Sequence, residues 1–135
     1  MRCVAKPKVL VLGGGFGGLE ATLYTRMRLP DAEISVISDK DYFLFKPNMV
    51  YVPFGLDPGK LTLRLAWPTR RKQVRFINAK AREVDAVSKR VTLESMMGSG
   101  DDTKCVAHSY TDSRSFNLPY DFLVIATGAS MRPAE

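Results

Sequence analysis

The chain has 135 residues, 45% apolar and 25% charged, enough for one domain with its own core and ordinary for a globular protein. Its net charge is +6, yet no nucleic-acid motif accompanies the basic residues, and the aromatics are not interleaved with them as single-strand binders require. No apolar run is long enough to cross a bilayer and the N-terminus shows no signal-peptide pattern, so the expectation is a cytoplasmic protein.

Val9-Leu10-Val11-Leu12 is a continuous apolar run ended by glycines, the pattern of a strand buried on both faces of a parallel sheet. A helix is predicted over Phe16–Arg28, with Leu19, Leu23 and Met27 on one face and Pro30-Asp31 stopping it. Residues 34–37 read as a second strand, which completes a βαβ unit. Residues 41–47 are aromatic-rich and end in proline, and read as a packed loop rather than a sheet strand. Pro53, Gly55, Pro58 and Gly59 mark a long irregular stretch, a kind of segment that is often functional. A short helix is expected over residues 68–72, with Pro68 at its first position.

Residues 74–77 alternate as a strand, and residues 83–87 and 90–94 form a hairpin joined near Ser88-Lys89. After a polar loop at residues 98–102, residues 105–110 are expected to add a third strand to this meander. Residues 122–126 are a last fully apolar strand, ending in Thr127-Gly128. The basic cluster Arg70-Arg71-Lys72 reads as a solvated helix face. Cys3 and Cys105 are expected to be ordinary reduced thiols, and the single His108 is too little for a metal site. No carboxylate pair, Ser/His/Asp set or nucleophile elbow is present, so hydrolytic chemistry has no support and no catalytic residue is assigned.

Gly13-x-Gly15-x-x-Gly18 carries the dinucleotide spacing. The first glycine permits the tight turn out of the strand. The second lets the backbone approach a pyrophosphate, and the third lets helix and strand pack closely. The N–H groups and partial positive charge at the helix N-terminus then favour phosphate. A strand before the glycines and an amphipathic helix after them are the context the motif requires. The second strand ends in Ser38-Asp39, where an acidic residue for the ribose hydroxyls is expected; either side chain can hydrogen-bond them.

These residues resemble a known family. Residues 9–20, Val-Leu-Val-Leu-Gly-Gly-Gly-Phe-Gly-Gly-Leu-Glu, are similar to the start of FAD-dependent pyridine nucleotide-disulfide oxidoreductases, with a nearer match to sulfide:quinone oxidoreductases and type II NADH dehydrogenases. Ser38-Asp39 followed by Asp41-Tyr42-Phe43 and Pro47 resembles sulfide:quinone oxidoreductases in particular, and Ala126-Thr127-Gly128 resembles a motif of the whole superfamily. The resemblance implies an α/β fold: a Rossmann-like FAD-binding βαβ domain with a parallel sheet and an antiparallel β-meander crossover. It implies that residues 1–135 are the N-terminal FAD-binding domain of a longer protein with two dinucleotide domains.

It implies pyrophosphate contacts from Gly13, Gly14, Gly15, Phe16 and Gly17, and adenosine-ribose contacts from Ser38 and Asp39. Lys46 would pass the cofactor, the backbone of Lys80-Ala81 would read the adenine edge, and Thr127-Gly128 would approach the pyrophosphate from the other side. The cofactor would be FAD, with electrons passing from sulfide or NADH to a quinone. Peripheral contact with the inner face of a membrane would come through other parts of the longer protein.

The chain also departs from the family. Thr22 and Thr25 stand where small or apolar residues are usual, so that helix face is expected to pack less tightly. Residues 98–117 look longer than the family's hairpin connection. The cysteines that the family uses for sulfide lie after the Ala-Thr-Gly motif; no cysteine follows Gly128, and Cys105 precedes it. A non-catalytic nucleotide-binding module is the alternative reading. NAD as the cofactor of this first unit fits less well, because residues 41–47 and Thr127-Gly128 match FAD proteins.

Overall fold

The computed structural model describes residues 6–96 and 115–129. Cys3, Cys105, His108 and the strand expected over residues 105–110 lie outside them.

Strand β1 (Lys8–Leu12) leads into helix α1 (Phe16–Arg28), and β2 (Glu33–Ser38) follows. Strands β3 (Tyr42–Leu44) and β4 (Thr62–Arg64) flank two 3-10 helices, Lys46–Phe54 and Pro58–Leu61. Helix α2 (Ala66–Arg71), strands β5 (Arg75–Asp85) and β6 (Arg90–Ser95), then β7 (Ser115–Pro119) and β8 (Phe122–Ile125) complete the order. One sheet runs β7-β6-β5-β2-β1-β8. Strands β5, β2, β1 and β8 are parallel, while β5, β6 and β7 form an antiparallel meander. The expected α/β class and the meander are both present.

Strand β1 lies between β2 and the edge strand β8, with its side chains buried on both faces. Val9 and Val11 pack with Ile34, Val36 and Val74. Leu10 and Leu12 pack on the other face with Ile37, Ile77 and the meander residues Val91 and Leu93. Helix α1 lies over the first of these faces, where Gly18 approaches Val11. At the far edge, the Asp121 carboxylate accepts from the Lys8 N–H at 2.7 Å and so ties β8 to β1.

Four expectations need correction. Residues 41–47 are not only a loop: β3 pairs antiparallel with β4, Phe43 opposite Leu63. The partner strand lies some twenty residues along the chain, so no local pattern announced it. Helix α2 begins at Ala66, which makes Pro68 its third residue. The buried Leu65 starts it earlier, its carbonyl accepting from both the Thr69 N–H and the Thr69 hydroxyl. Strand β5 is one continuous strand where two were expected; its first half pairs with β2 and its second with β6, around a bulge between Ala81 and Glu83.

The fourth correction concerns α1. Its buried residues are Gly18 and Thr22, whereas Leu23 and Met27 are exposed at 52% and 73%. The buried Thr22 hydroxyl is satisfied within the helix, donating to the Gly18 carbonyl at 2.7 Å. The third meander strand is Ser115–Pro119, with Leu118 opposite Val91.

Candidate functional site

The parallel strands all run the same way, so their carboxyl ends share one edge. Strand β1 is flanked by β2, reached through α1, and by β8, reached only after the meander. The chain therefore leaves β1 toward one side and later returns to pair on its other side, which makes the carboxyl end of β1 a topological switch point, the place where open α/β sheets bind ligands.

The glycine loop sits at that point, and its glycines are required for different reasons. Gly13 has φ +116°, and a Cβ on it would lie 2.1 Å from the Ala126 carbonyl oxygen. Its N–H donates to the Ile37 carbonyl at 2.7 Å, and the Ala126 N–H donates to the Leu12 carbonyl at 2.8 Å. The turn is thus wedged between the ends of β2 and β8. Gly14 is buried, and its Cβ would meet Leu65 Cδ1 at 2.7 Å and Ser38 Oγ at 3.0 Å. A Cβ on Gly18 would lie 1.9 Å from the Gly13 carbonyl oxygen.

Gly15 differs. It is the N-cap of α1 in extended backbone (φ −84°), and a Cβ on it would meet nothing within 4 Å. No side chain caps the helix and no acidic residue occupies its first turn. Neither strain nor internal packing demands glycine here; the space it keeps open lies in front of an uncapped helix N-terminus. Such an end has N–H groups to offer and a partial positive charge. The residues present therefore fit a diphosphate group.

The other expected site residues fall on the same edge. Ser38 ends β2, is buried, and its Oγ accepts from the Lys40 N–H at 3.2 Å. With that lone pair engaged, its hydroxyl hydrogen remains to be donated. Asp39 follows and is exposed. Asn78 of β5 lies opposite Ser38, so Lys80 and Ala81 continue just past the end of β2. Lys80 is exposed and Ala81 half-buried. Glu94, opposite Lys80 in the ladder, is ion-paired with Arg82. Thr127 and Gly128 follow β8, both exposed, Gly128 with φ +75°. Lys46 opens the first 3-10 helix on the exposed surface, one residue beyond Phe45.

Sequence reasoning missed what surrounds the loop. Phe16 makes an edge-to-face contact with Phe43, ring centroids 4.8 Å apart, and a tilted contact with Phe45 at 5.6 Å. Leu65, fully buried, fills the space beside Gly14. The aromatic run at residues 42–45 was the available signal for the first contact; nothing local pointed to Leu65. A separate cleft of about 380 Å³, lined by Lys6, Arg26, Asp31, Glu33 and Gln73 among others, lies by the amino end of β2, away from the loop. Among the described residues no group of His, Cys, Asp or Glu is arranged to hold a metal, and no helix is long and apolar enough to cross a membrane.

A parallel sheet with a glycine turn and an uncapped helix at its switch point defines a Rossmann-like α/β fold. The chain belongs to the pyridine nucleotide-disulphide oxidoreductase family, whose profile matches residues 7–135. It is 31% identical over 124 residues to a sulfide-quinone reductase of Aquifex aeolicus, covering 91% of this chain and 24% of that protein. It is 29% identical over 123 residues to the type II NADH:quinone oxidoreductase Ndh of Mycobacterium tuberculosis, covering 90% and 23%.

Among solved structures, the sulfide:quinone oxidoreductase of Aquifex aeolicus superposes with a TM-score of 0.74 at 31% identity, over 94% of this chain and 25% of that one. NDH2 of Plasmodium falciparum, solved in complex with NADH, shares the fold, with a TM-score of 0.73 at 22% identity, over 95% and 23%. The chain spans about a quarter of the length of these relatives.

Proposed function

We propose that this chain holds the ADP half of FAD, as the N-terminal FAD-binding domain, residues 1–135, of a flavin-dependent quinone oxidoreductase. The observation that carries the reading is Gly15: a glycine with no internal reason to be one, at an uncapped helix N-terminus on the switch point of the sheet. Membership in an oxidoreductase family supports it.

In this reading the N–H groups at the start of α1 and the backbone of Gly13 to Gly17 hold the pyrophosphate. Thr127 and Gly128 approach it from the β8 side. Ser38 donates to a ribose oxygen and Asp39 accepts from a ribose hydroxyl. The backbone at Lys80-Ala81 lines the adenine, and Lys46 adds positive charge beside the cofactor. The flavin supplies the electron transfer when bound; the protein's part is to bind and orient it. Sulfide or NADH is the donor for the whole protein and a quinone the acceptor, as the names of the relatives suggest.

Absorption spectra of the purified protein after desalting test this reading. For the 135-residue chain, which alone is not expected to be catalytically competent, flavin bands that persist are the expected result; in the full-length protein they should also bleach with sulfide or NADH and return with a quinone. A full-length protein that binds FAD but is not reduced would be a nucleotide-binding module. In Gly15→Val the Cβ would meet no protein atom within 4 Å and the side chain would occupy the pyrophosphate's place, so FAD binding should be lost with the fold intact. Unchanged FAD affinity by calorimetry would refute the loop assignment.

A further inference from the structure

Two residues of the glycine loop are gripped by opposite ends of one excursion of the chain. Leu65, which follows β4, packs against Gly14. Phe43 in β3 and Phe45 just after it pack against Phe16. The base of the excursion is closed by the Leu65 N–H, which donates to the Asp41 carbonyl at 2.9 Å.

Between the grips the segment packs largely on itself. The Phe45 N–H donates to the Leu61 carbonyl at 2.9 Å, and the Thr62 hydroxyl donates to the Gly59 carbonyl at 3.0 Å. No residue of the 3-10 helix Lys46–Phe54 is buried, and Val50 and Phe54 are 62% and 86% exposed. A segment with so little burial opens at low free energy. Its attachment to the loop therefore decides where it lies.

We propose that the cluster of Phe16, Phe43 and Phe45 is a clasp that couples occupancy of the diphosphate site to the order of residues 46–61. The inference rests on the reading of the glycine loop as that site. Phe16 is the first residue of α1, so a phosphate held at the helix N-terminus restrains its backbone. Its ring, edge-on to Phe43, passes the restraint to β3. The Phe45–Leu61 hydrogen bond carries it on to the second 3-10 helix. Phe16, Phe43 and Phe45 are thus positioning residues, and the linkage is reciprocal: an ordered excursion strengthens diphosphate binding.

Amide hydrogen exchange of the 135-residue chain with and without ADP tests the clasp. ADP carries the diphosphate but no isoalloxazine, so the flavin ring itself cannot touch the excursion. We expect ADP to slow exchange at residues 13–18, and at residues 46–61 by about fivefold, the scale of an aromatic pair. The double variant Phe43→Ala/Phe45→Ala should keep the first effect and lose the second, while Phe45→Tyr keeps both. Amides of β1 and β2 report whether the double variant is folded; if it is not, Phe45→Ala alone makes the comparison. Slowing at residues 13–18 with none at residues 46–61, or an equal gain in the alanine variants, would overturn the clasp. No slowing anywhere with ADP would overturn the diphosphate reading and the clasp with it.

Discussion

The Gly13 carbonyl oxygen lies so close beneath Gly18 that a Cβ on Gly18 would sit 1.9 Å from it. Helix α1 comes this close to the end of β1 only because Gly18 carries no side chain. Gly18→Ala would have to push the helix off the sheet, and should cost about 3 kcal/mol or more in denaturant unfolding. Gly17→Ala is the control. Its Cβ would meet only the Ala126 methyl, at an ordinary 3.7 Å, so stability should hold or rise by up to about 1 kcal/mol.

Leu65 is fully buried between α2 and the glycine loop. Leu65→Ala leaves a cavity under Gly14 and should destabilise the fold by about 2–5 kcal/mol. FAD affinity measured well below the melting temperature should also fall, because the loop loses the side chain that holds Gly14 in place.

Arg26 fastens two connections at the amino end of the sheet, that between α1 and β2 and that between α2 and β5. Its Nη1 donates to the carbonyls of Pro30 and Ala32 at 2.6 and 2.9 Å, and its Nη2 to that of Gln73 at 2.8 Å. Gln73 adopts a left-handed φ of 55°. Arg26→Met keeps the apolar stem and removes these bonds, and should lower stability by about 2 kcal/mol. Arg26→Lys should recover only part, since an ammonium cannot span three carbonyls as a planar fork does. Thermal unfolding of the two variants checks the order.

Asp85 turns the β5–β6 hairpin. Its carboxylate accepts from the Ser88 hydroxyl at 2.6 Å and from the Ser88 and Val87 N–H groups at 3.0 and 2.9 Å. The Ser88 hydroxyl, then these backbone donors, hold its pKa below the ordinary carboxylate value, with Arg90 adding a smaller charge effect. A depressed folded pKa means that the stabilisation is complete above the unfolded value, near pH 4, and is lost as pH falls through the lower folded value. Ser88→Ala should raise the Asp85 pKa, measured by carboxyl NMR titration, and move that loss to higher pH.

Much of the site was legible because its signals are local. An apolar run, three glycines at fixed spacing and a following helix need only a dozen residues to be recognised, and α1 runs over Phe16–Arg28 as its pattern predicts. The face it buries was not legible. Leu19, Leu23 and Met27 make the apolar stripe, but close approach at Gly18 turns the small face of Gly18 and Thr22 inward and leaves Leu23 and Met27 exposed. Likewise β3 pairs with a strand some twenty residues away, and β5 stays one strand through exposed polar residues because β2 and then β6 supply its hydrogen bonds.

By itself, then, the sequence determined the βαβ unit, the dinucleotide loop and the family that both suggest, since glycine spacing and strand hydrophobicity act between near neighbours. Only the tertiary structure decided that Gly13 is wedged against Ala126, that Gly15, alone among the glycines of the loop, faces open space, and that Leu65 and the Phe43–Phe45 pair brace the loop from both sides. Those relationships join residues from 27 to over a hundred positions apart, and contacts at such separations exist only once the sheet has brought its strand ends to one edge.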